Sequence, residues 1–565
     1  MGGMLINRIC SIAVVVLLLF ILGCDRKPAT EAKDSASIAS QRAISTNNLI
    51  ARFHWIGKNR LAMETNAARF MSIWNMPESV ALENQTLNKL ALSPWRLTRG
   101  DAATNGAPTL QMRGLLDDLV HTEWYAEVHR RETKQTAEVV LAMRLNAERH
   151  SQWKDNLAAV AESLTGFKVE NDQAGGGWVL RKHDAPNLLQ IERAGDWTLV
   201  GLAHEQNTLL GDFGARIKRD HTPFAAPATN YWLDADMDLV QLNEALALGW
   251  KLPAGFPRIK LTEIGDGENV RIWGELVFRE PLDMKIEPWN IPTNLIREPL
   301  LSFTAVRGVE GIFSNYAASW FGNEQVPNQA FSWGRSGPPL QMYMAVSTDD
   351  VKASYAHLEN KIITSVAPFI DSKKFGTITR RLGTNRMLWD GLFFGVPGIS
   401  IVTNQTKEFL LLSFAPFFAP KSTTTNQIPP ALAHRVCDPE DLLFFNWEQT
   451  GERLAQWRYC DDASRIIFDA AHRPRLNRYM PAIEWAAMGI TNLDHSVTDA
   501  RLTRQNQLTF TRKATVGLTA LELDLLLNWL ELVDFPRGFS SIFATNATPA
   551  PVRRKVGPQP PTPSR

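Results

Sequence analysis

Cysteine is scarce: Cys10, Cys24, Cys437 and Cys460 are the only four in 565 residues. None stands in a CxxC pair beside paired histidines, so the common structural zinc sites are excluded. Charge of one sign is lacking too, with 60 Lys plus Arg against 59 Asp plus Glu. A nucleic-acid binder carries a basic excess, so nucleic acid is set aside as a partner. No apolar run reaches the roughly 20 residues that a membrane-spanning helix needs.

Catalytic signatures are also missing. A serine-hydrolase elbow needs Gly-x-Ser-x-Gly, and both Gly334-Arg335-Ser336-Gly337 and Gly398-Ile399-Ser400 fall short. A zincin needs His-Glu-x-x-His, but His204-Glu205 is followed by Thr208 at the last position. His121 and His129 stand too far apart for one strand to offer both to one metal. Gly175-Gly176-Gly177 precedes a strand, whereas a phosphate loop precedes a helix and carries Lys, so it reads as a hairpin turn. Asp234, Asp236 and Asp238 begin like a calcium loop, but Leu239 stands where that loop needs Gly and Ala245 where it needs Glu. The plain alternative is a strand end with Asp238 capping the next helix. No catalytic, cofactor or metal residue is assigned, and no cofactor is expected.

The informative stretch is the start of the chain. Residues 1–8 carry Arg8, and residues 12–22 form an unbroken apolar run. That is signal-peptide length. The run ends in Ile21-Leu22-Gly23-Cys24, which resembles the lipobox of bacterial lipoproteins, with Leu22 bulkier than its position usually holds. The resemblance implies a diacylglycerol on Cys24, cleavage before it and acylation of the new N-terminus. At roughly 0.8 kcal/mol per buried methylene, several acyl chains anchor firmly. The competing readings are a secretory signal cut elsewhere and a short uncleaved anchor. The expected address is the bacterial envelope, lipid-anchored through Cys24 and facing the periplasm or exterior.

Cys10 then leaves with the signal and Cys24 takes lipid. Cys437 and Cys460 remain, and in an oxidising compartment an even pair reads as a disulfide. It would close a loop of about 24 residues, worth about 3 kcal/mol by chain entropy. Two separate buried thiols are the alternative.

Composition and periodicity divide the chain into a signal (1–23), a lipidated Cys with polar tether (24–47), an N-terminal helical segment (48–108), a first α+β copy (109–297), a second copy with a helical insert (298–535) and a Pro-rich basic tail (536–565). The tether, as coil, spans on the order of 25 Å. In the helical segment Met63, Ala67, Phe70, Met71 and Trp74 recur at helical spacing. Pro77 is read as stopping that pattern, a second helix as covering 80–92, and 93–108 as loop. The body alternates strands and helices, with a hairpin over 259–278 turning at Gly265-Asp266-Gly267. The order then recurs. Residues 399–403 and 409–413 repeat the hairpin of 189–193 and 197–201, and 442–447 repeats 231–235, at a shift of roughly 211 residues. The fold class expected is α+β: two related copies of an antiparallel sheet with helices packed on one face, after a short helical segment. Residues 449–489 form the helical insert of copy two, which carries Cys460.

Three segments, together with the lipobox, carry a wider resemblance. Arg60-Leu61-Ala62-Met63-Glu64-Thr65-Asn66-Ala67, Ser72-Ile73-Trp74-Asn75 and Pro77-Glu78-Ser79, with the lipobox, resemble uncharacterised exported proteins of verrucomicrobial type. That family implies a setting and no mechanism. Trp is in excess, 18 against 7 Tyr. Trp178, Trp197, Trp273 and Trp529 fall inside apolar patterns and read as core.

The expected function is a non-catalytic, lipid-anchored envelope protein that binds a partner protein or aids an assembly. One alternative is a carrier of lipid or another apolar ligand between sheet and helices. The other is an enzyme whose polar groups converge from distant segments, such as Asp234 or His204.

Overall fold

The computed structural model describes residues 48–537 except 101–104, 131–136, 172–175, 183–184, 205–206, 225–230, 247, 249–251, 253–254, 283, 309–320, 322–326, 337–340, 369–375, 381–385, 391–395, 405–406, 416–429, 438–439, 469–479 and 533–534. The signal, Cys24, the tether and the tail beyond 537 lie outside these residues.

The chain is mixed α+β, built on one 20-stranded sheet whose neighbours all pair antiparallel. The first half supplies β1 (Leu49–Trp55), β2 (Trp124–Arg130), β3 (Ala137–Arg144), β4 (Glu170–Asn171), β5 (Trp178–Lys182), β6 (Ala185–Ala194), β7 (Trp197–His204), β8 (Leu233–Asp238), β9 (Arg258–Gly265) and β10 (Val270–Val277). They lie in the order β4-β5-β6-β7-β3-β2-β1-β8-β9-β10. The second half supplies β11 (Leu300–Arg307), β12 (Gln329–Arg335), β13 (Gln341–Ser347), β14 (Thr377–Arg380), β15 (Arg386–Asp390), β16 (Val396–Asn404), β17 (Lys407–Ala415), β18 (Leu442–Gln449), β19 (His495–Arg504) and β20 (Gln507–Ala514). Their order is β14-β15-β16-β17-β13-β12-β11-β18-β19-β20. Every strand number of the first half recurs raised by ten. The halves meet where β10 pairs with β20, from Val270↔Ala514 to Val277↔Gln507.

Some of the helices fall at matching points in the strand order. In the first half α1 (Lys58–Leu61), α2 (Ala68–Trp74), α3 (Pro77–Arg99) and α4 (Thr109–His121) lie between β1 and β2, α5 (Ala147–Thr165) follows β3, α6 (Thr208–Asp220) follows β7, and α7 (Leu239–Ala245) follows β8. In the second, α8 (Val351–Lys361) follows β13, α9 (Pro430–Cys437) follows β17, and α10 (Thr450–Phe468) and α11 (Pro481–Asn492) follow β18, with α12 (Ala520–Leu530) after β20. Asn146, Asn207, Asp238 and Asp350 cap α5, α6, α7 and α8, each accepting a backbone N–H of the first turn.

Strand chemistry follows position. In β3 Val139, Leu141 and Met143 join the cluster of α5's Trp153, Leu157 and Val160. The alternate Val140 and Ala142 join α6's Leu209, Leu210, Phe213 and Ile217. A strand covered on both faces reads as an unbroken apolar run. The second half does the same: Val346, Ile399 and Leu410 pack on α8, and Ala345, Phe331, Phe409 and Phe445 on α9. Helices therefore lie on both faces, not on one as expected. Alternation carries one apolar set to each side, and α6 and α9 bury the second set.

The region 48–108 is not a separate helical segment. β1 is buried between β2 and β8, so this stretch belongs to the middle of the first half. Two boundaries move with it. Pro77 starts α3 at its first turn, where the missing N–H costs nothing. α3 then runs through Pro94 to Arg99, across the stretch expected to be loop. Pro94 cannot donate to the Leu90 carbonyl, and Ser93 Oγ donates to it at 2.8 Å instead. Met63 is 78% exposed and takes no part in the helical stripe.

The helices between β1 and β2 meet those of the second half. Trp485 Nε1 donates to Ser79 Oγ at 2.9 Å, and Lys89 Nζ donates to the Leu530 carbonyl and to Glu531. Ile73 shares a core with Leu454, Ala486, Leu523 and Leu527.

At the β10–β20 seam Gly274 faces Phe510, and a Cβ on Gly274 would stand 2.1 Å from the Phe510 ring. Gly274→Ala should destabilise the protein by about 1–3 kcal/mol through overpacking. Adding Phe510→Ala should remove most of the clash part of that cost. Urea unfolding of both single variants and the double reads the coupling. A fully additive result would mean that these side chains do not meet.

Candidate functional site

The middle of the sheet differs from its flanks. From β8 to β10 one face is mainly apolar, with Leu233, Ala235, Ile259, Leu261, Val270 and Ile272 buried. The other face is polar, because these strands alternate apolar with charged or hydroxyl residues. One row can be followed across the sheet by register: Tyr125, His54, Asp234, Thr262, Trp273, Thr511, Asp499, Phe445. Tyr125 lies in the core under α6, and Phe445 in the core under α9. Among the described residues no helix packs over the strands between them. Phe224 covers His54 on β1, so among the described residues the open stretch is a trough over the five strands from β8 to β19, roughly 19 Å across.

Its charges are paired. Lys260 meets Glu275 at 3.2 Å, Arg258 meets Asp236 at 2.6 Å, and Arg52 meets Asp234 at 3.5 Å. Arg271 and Lys513 share Asp266 at 2.8 and 3.4 Å. Arg501 joins Asp499 and Asp441, both at 3.3 Å, and Asp499 also accepts from Thr511 Oγ1 at 2.8 Å. Burial alone would raise Asp266, but Arg271, the Asn269 N–H and Lys513 outweigh it and hold it at about 2. Burial dominates at Asp234 and raises it against the pull of Arg52 and His54. In the centre Trp273 stands 40% exposed.

The edge under α6 holds two denser networks. Glu127 is buried and accepts Tyr125 Oη at 2.5 Å, His129 Nε2 at 3.0 Å and both Arg216 terminal nitrogens at 3.0 and 3.1 Å. Burial opposes its charge, but these donors outweigh burial and hold it at about 2. Tyr125 is pushed up by burial and by Glu127. Glu123 accepts from His54 at 3.1 Å and also meets Arg60 and Arg144. Burial works against its charge, and His54, Arg60 and Arg144 bring it below its ordinary value. A general base needs a lone pair and room to take a proton. Glu127 has four donors and 3% exposure, so its role is to fix α6 on the sheet.

The helix-covered face carries a buried charged cluster at the seam. Arg512 donates to both oxygens of Glu522 at 2.7 and 3.2 Å and to Thr498 at 2.9 Å. Glu522 also closes the capping box of α12 with Thr519. Glu448 accepts the Ala520 N–H at 2.6 Å, and burial raises it. Glu263 is 5% exposed, and its Oε1 has no hydrogen-bond partner. Burial pushes it up to about 8 against the pull of Arg512.

The residues singled out by sequence fall as follows. Asp234, Asp236 and Asp238 share a face but each is engaged separately. Asp238 caps α7 through Gln241 N at 2.9 Å and meets Arg279, as the plain alternative had it. His204 pairs through its backbone with Asn187 at the end of β7, away from Asp234. His121 binds the Asp117 carbonyl and His129 binds Glu127, in separate places. Ser336 donates to Glu452. Among the described residues no three His, Cys, Asp or Glu side chains form a metal cluster.

Two expectations are corrected. Trp273 is not core: it occupies an outward position of β10, while Trp178, Trp197 and Trp529 are buried. Cys437 and Cys460 are not joined by a disulfide. Cys437 ends α9 beside the Arg307 site, where Arg307 takes the Leu442 and Glu440 carbonyls. In α10, Gln456 donates to the Arg335 carbonyl. Arg307 pairs with Gln329, and Arg335 with Leu300, so the two sites lie at opposite ends of β11 and β12. Strand rise sets those ends about 20 Å apart, whereas a bridge needs Cα atoms within about 7 Å.

Comparison with known proteins finds no matching family model, no matching curated protein and no matching solved structure.

Glu263 gives a pH signature. Its folded value is about 8 against an ordinary 4.5, so folding holds a proton that the unfolded chain releases. Stability is fully present below pH 4.5 and is lost as pH rises towards 8. Glu263→Gln should reduce that loss, so its advantage in urea midpoint over the parent should grow from pH 5 to pH 8.5. A constant difference between the two proteins would contradict a buried proton at Glu263.

Proposed function

We propose that this chain is a lipid-anchored protein of the bacterial envelope that binds a partner and performs no chemistry of its own. The observation that carries this reading is the open trough between α6 and α9. It is a broad surface, yet Asp234, Asp236, Asp266, Glu275 and Asp499 are each occupied by a cation. Acid–base and nucleophilic catalysis need a group free to exchange a proton or attack. A surface of satisfied pairs offers shape and hydrogen bonding, which suit recognition.

A carrier role is less favoured, because large side chains fill the layer between sheet and helices. Trp95, Trp153, Trp178 and Phe213 are almost wholly inaccessible there. We also read the two halves as related copies of one unit. The shift of ten in strand order and the matching places of α5 with α8 and of α6 with α9 support that reading.

The address rests on Ile21-Leu22-Gly23-Cys24. Polar residues 24–47 then lead into β1, whose strand lies near the middle of the sheet. A tether of that length would let the trough face the periplasm or exterior close to the membrane.

Cell fractionation tests the anchor. The parent chain should sit in the membrane fraction and take up an alkyne-tagged palmitate. Cys24→Ala should abolish labelling and move the protein out of the membrane fraction. Unchanged retention without label would overturn the lipid anchor.

A further inference from the structure

The trough's composition narrows the partner, and this step rests on the binding role proposed above. Trp273 lies at the centre of a grid set by strand register. Thr262 and Thr511 stand directly opposite it on β9 and β20, with Arg271 and Glu275 two residues away on its own strand. Lys260 and Thr509 flank Glu275, and Lys513 and the half-buried Ile264 flank Arg271. The surface is therefore one exposed aromatic ring inside a field of hydroxyls, guanidinium, ammonium and carboxylate groups.

Three physical arguments act on this grid. First, the charge balances. Arg258, Lys260, Arg271, Lys513 and Arg501 are matched by Asp236, Glu275, Asp266, Asp499 and Asp441 in pairs of 2.6–3.4 Å. A phosphate, an anionic lipid or an acidic polymer would meet no surplus cation. Secondly, cores of protein–protein interfaces are depleted in charged residues and enriched in aromatic and apolar ones. This trough has charges throughout, and its apolar groups are the exposed Trp273 and the half-buried Ile264 and Val277, which is unlike such a core. Thirdly, a tryptophan face flanked by charged planar groups suits a ligand with a flat apolar C–H face and a rim of hydroxyls. The ring supplies stacking area at little cost in rotamer freedom. Carboxylate and guanidinium groups offer strong, directional hydrogen bonds to the hydroxyls.

We propose that the open face centred on Trp273 binds an uncharged glycan chain, with one sugar ring stacked on the Trp273 indole. Thr262, Thr511, Glu275 and Arg271 then meet the hydroxyls of the stacked ring and its neighbours. The roughly 19 Å breadth of the trough lets several sugars lie across β9, β10 and β20. The side chains need little rearrangement, because their ion pairs already hold them in the plane of the sheet.

The test uses the mature full-length chain and two uncharged hexasaccharides, β-1,4-linked N-acetylglucosamine and β-1,4-linked glucose, titrated by calorimetry. At least one should bind, and raising salt from 0.05 to 0.5 M should leave its affinity within about twofold, since no net charge is neutralised. Trp273→Ala should weaken binding by about tenfold or more, the scale of one lost stacking contact. Trp273→Tyr should retain most of it, and both variants should unfold at the parent's temperature. Binding of neither hexasaccharide, or equal affinity of the parent and Trp273→Ala, would overturn the proposal. A steep fall with salt would also overturn it by pointing to an anionic ligand. A photo-crosslinking residue at Thr511 in living cells separates the remaining cases. Cross-linking to a glycan supports the proposal. Cross-linking to a protein defeats the glycan assignment while leaving the envelope-binding role standing.

Discussion

The structure depends on one antiparallel pairing, β10 with β20. Each half ends in the strand that meets its counterpart, so the two sheets fuse edge to edge instead of exposing two edges to other chains. The pairing imposes a local condition. Near the centre of the seam two large side chains directly opposite each other would collide. Gly274 opposite Phe510 resolves this by asymmetry: one side gives up its Cβ and the other fills the space.

That seam also decides where the surface is. Joining the halves through β10 and β20 sends α6 and α9 to distant parts of the same face and, among the described residues, leaves β8, β9, β10, β20 and β19 with no helix over them. On the opposite face the helices of the two halves come together, with Trp485 bonded to Ser79 and Lys89 to the end of α12. One side of the sheet carries the helices that join the halves, and the other carries the trough between α6 and α9. The charges divide accordingly. On the trough they are paired and half-buried to exposed, each pair contributing little to stability. Beneath the helices they are buried, where Arg512 and Glu522 tie α12 to β20 and Glu263 stays protonated because water cannot reach it. Breaking one partner of such a buried pair costs far more than losing a surface pair.

Much of this was legible in the sequence. Periodicity located β6, β7, β8, β9, β10, β16, β17 and β18, because each carries a clean alternation or an apolar run. The segments read as recurring at roughly 211 residues fall on β6, β7 and β8 in the first half and on β16, β17 and β18 in the second. The first strand was missed because Leu49–Trp55 sits before a long helical stretch and its partners are distant in sequence. β11 and β12 were missed for a related reason: their pairing, unlike that of a hairpin, leaves no turn signature. Pro94 looked like a helix stop because the residue that rescues it, Ser93, acts through a local hydrogen bond that composition does not reveal. The disulfide inference counted cysteines without geometry, and strand register sets the two attachment sites at opposite ends of β11. Trp273 was read as core because its strand is apolar on the other face. Its neighbours Arg271 and Glu275 at a spacing of two were the signal that it points outward. The network at Glu127 had a similar signal in the alternation of Glu123, Tyr125, Glu127 and His129 with apolar residues along β2.

Native-state hydrogen exchange tests the account most directly. If the seam unites the halves, the backbone amides of β10 and β20 should be protected to the same degree as those of β3 and β13, and all should open together in the global unfolding reaction. Exchange of the β10 and β20 amides at a much lower free energy, with the two halves opening separately, would contradict the continuous sheet and, with it, the trough.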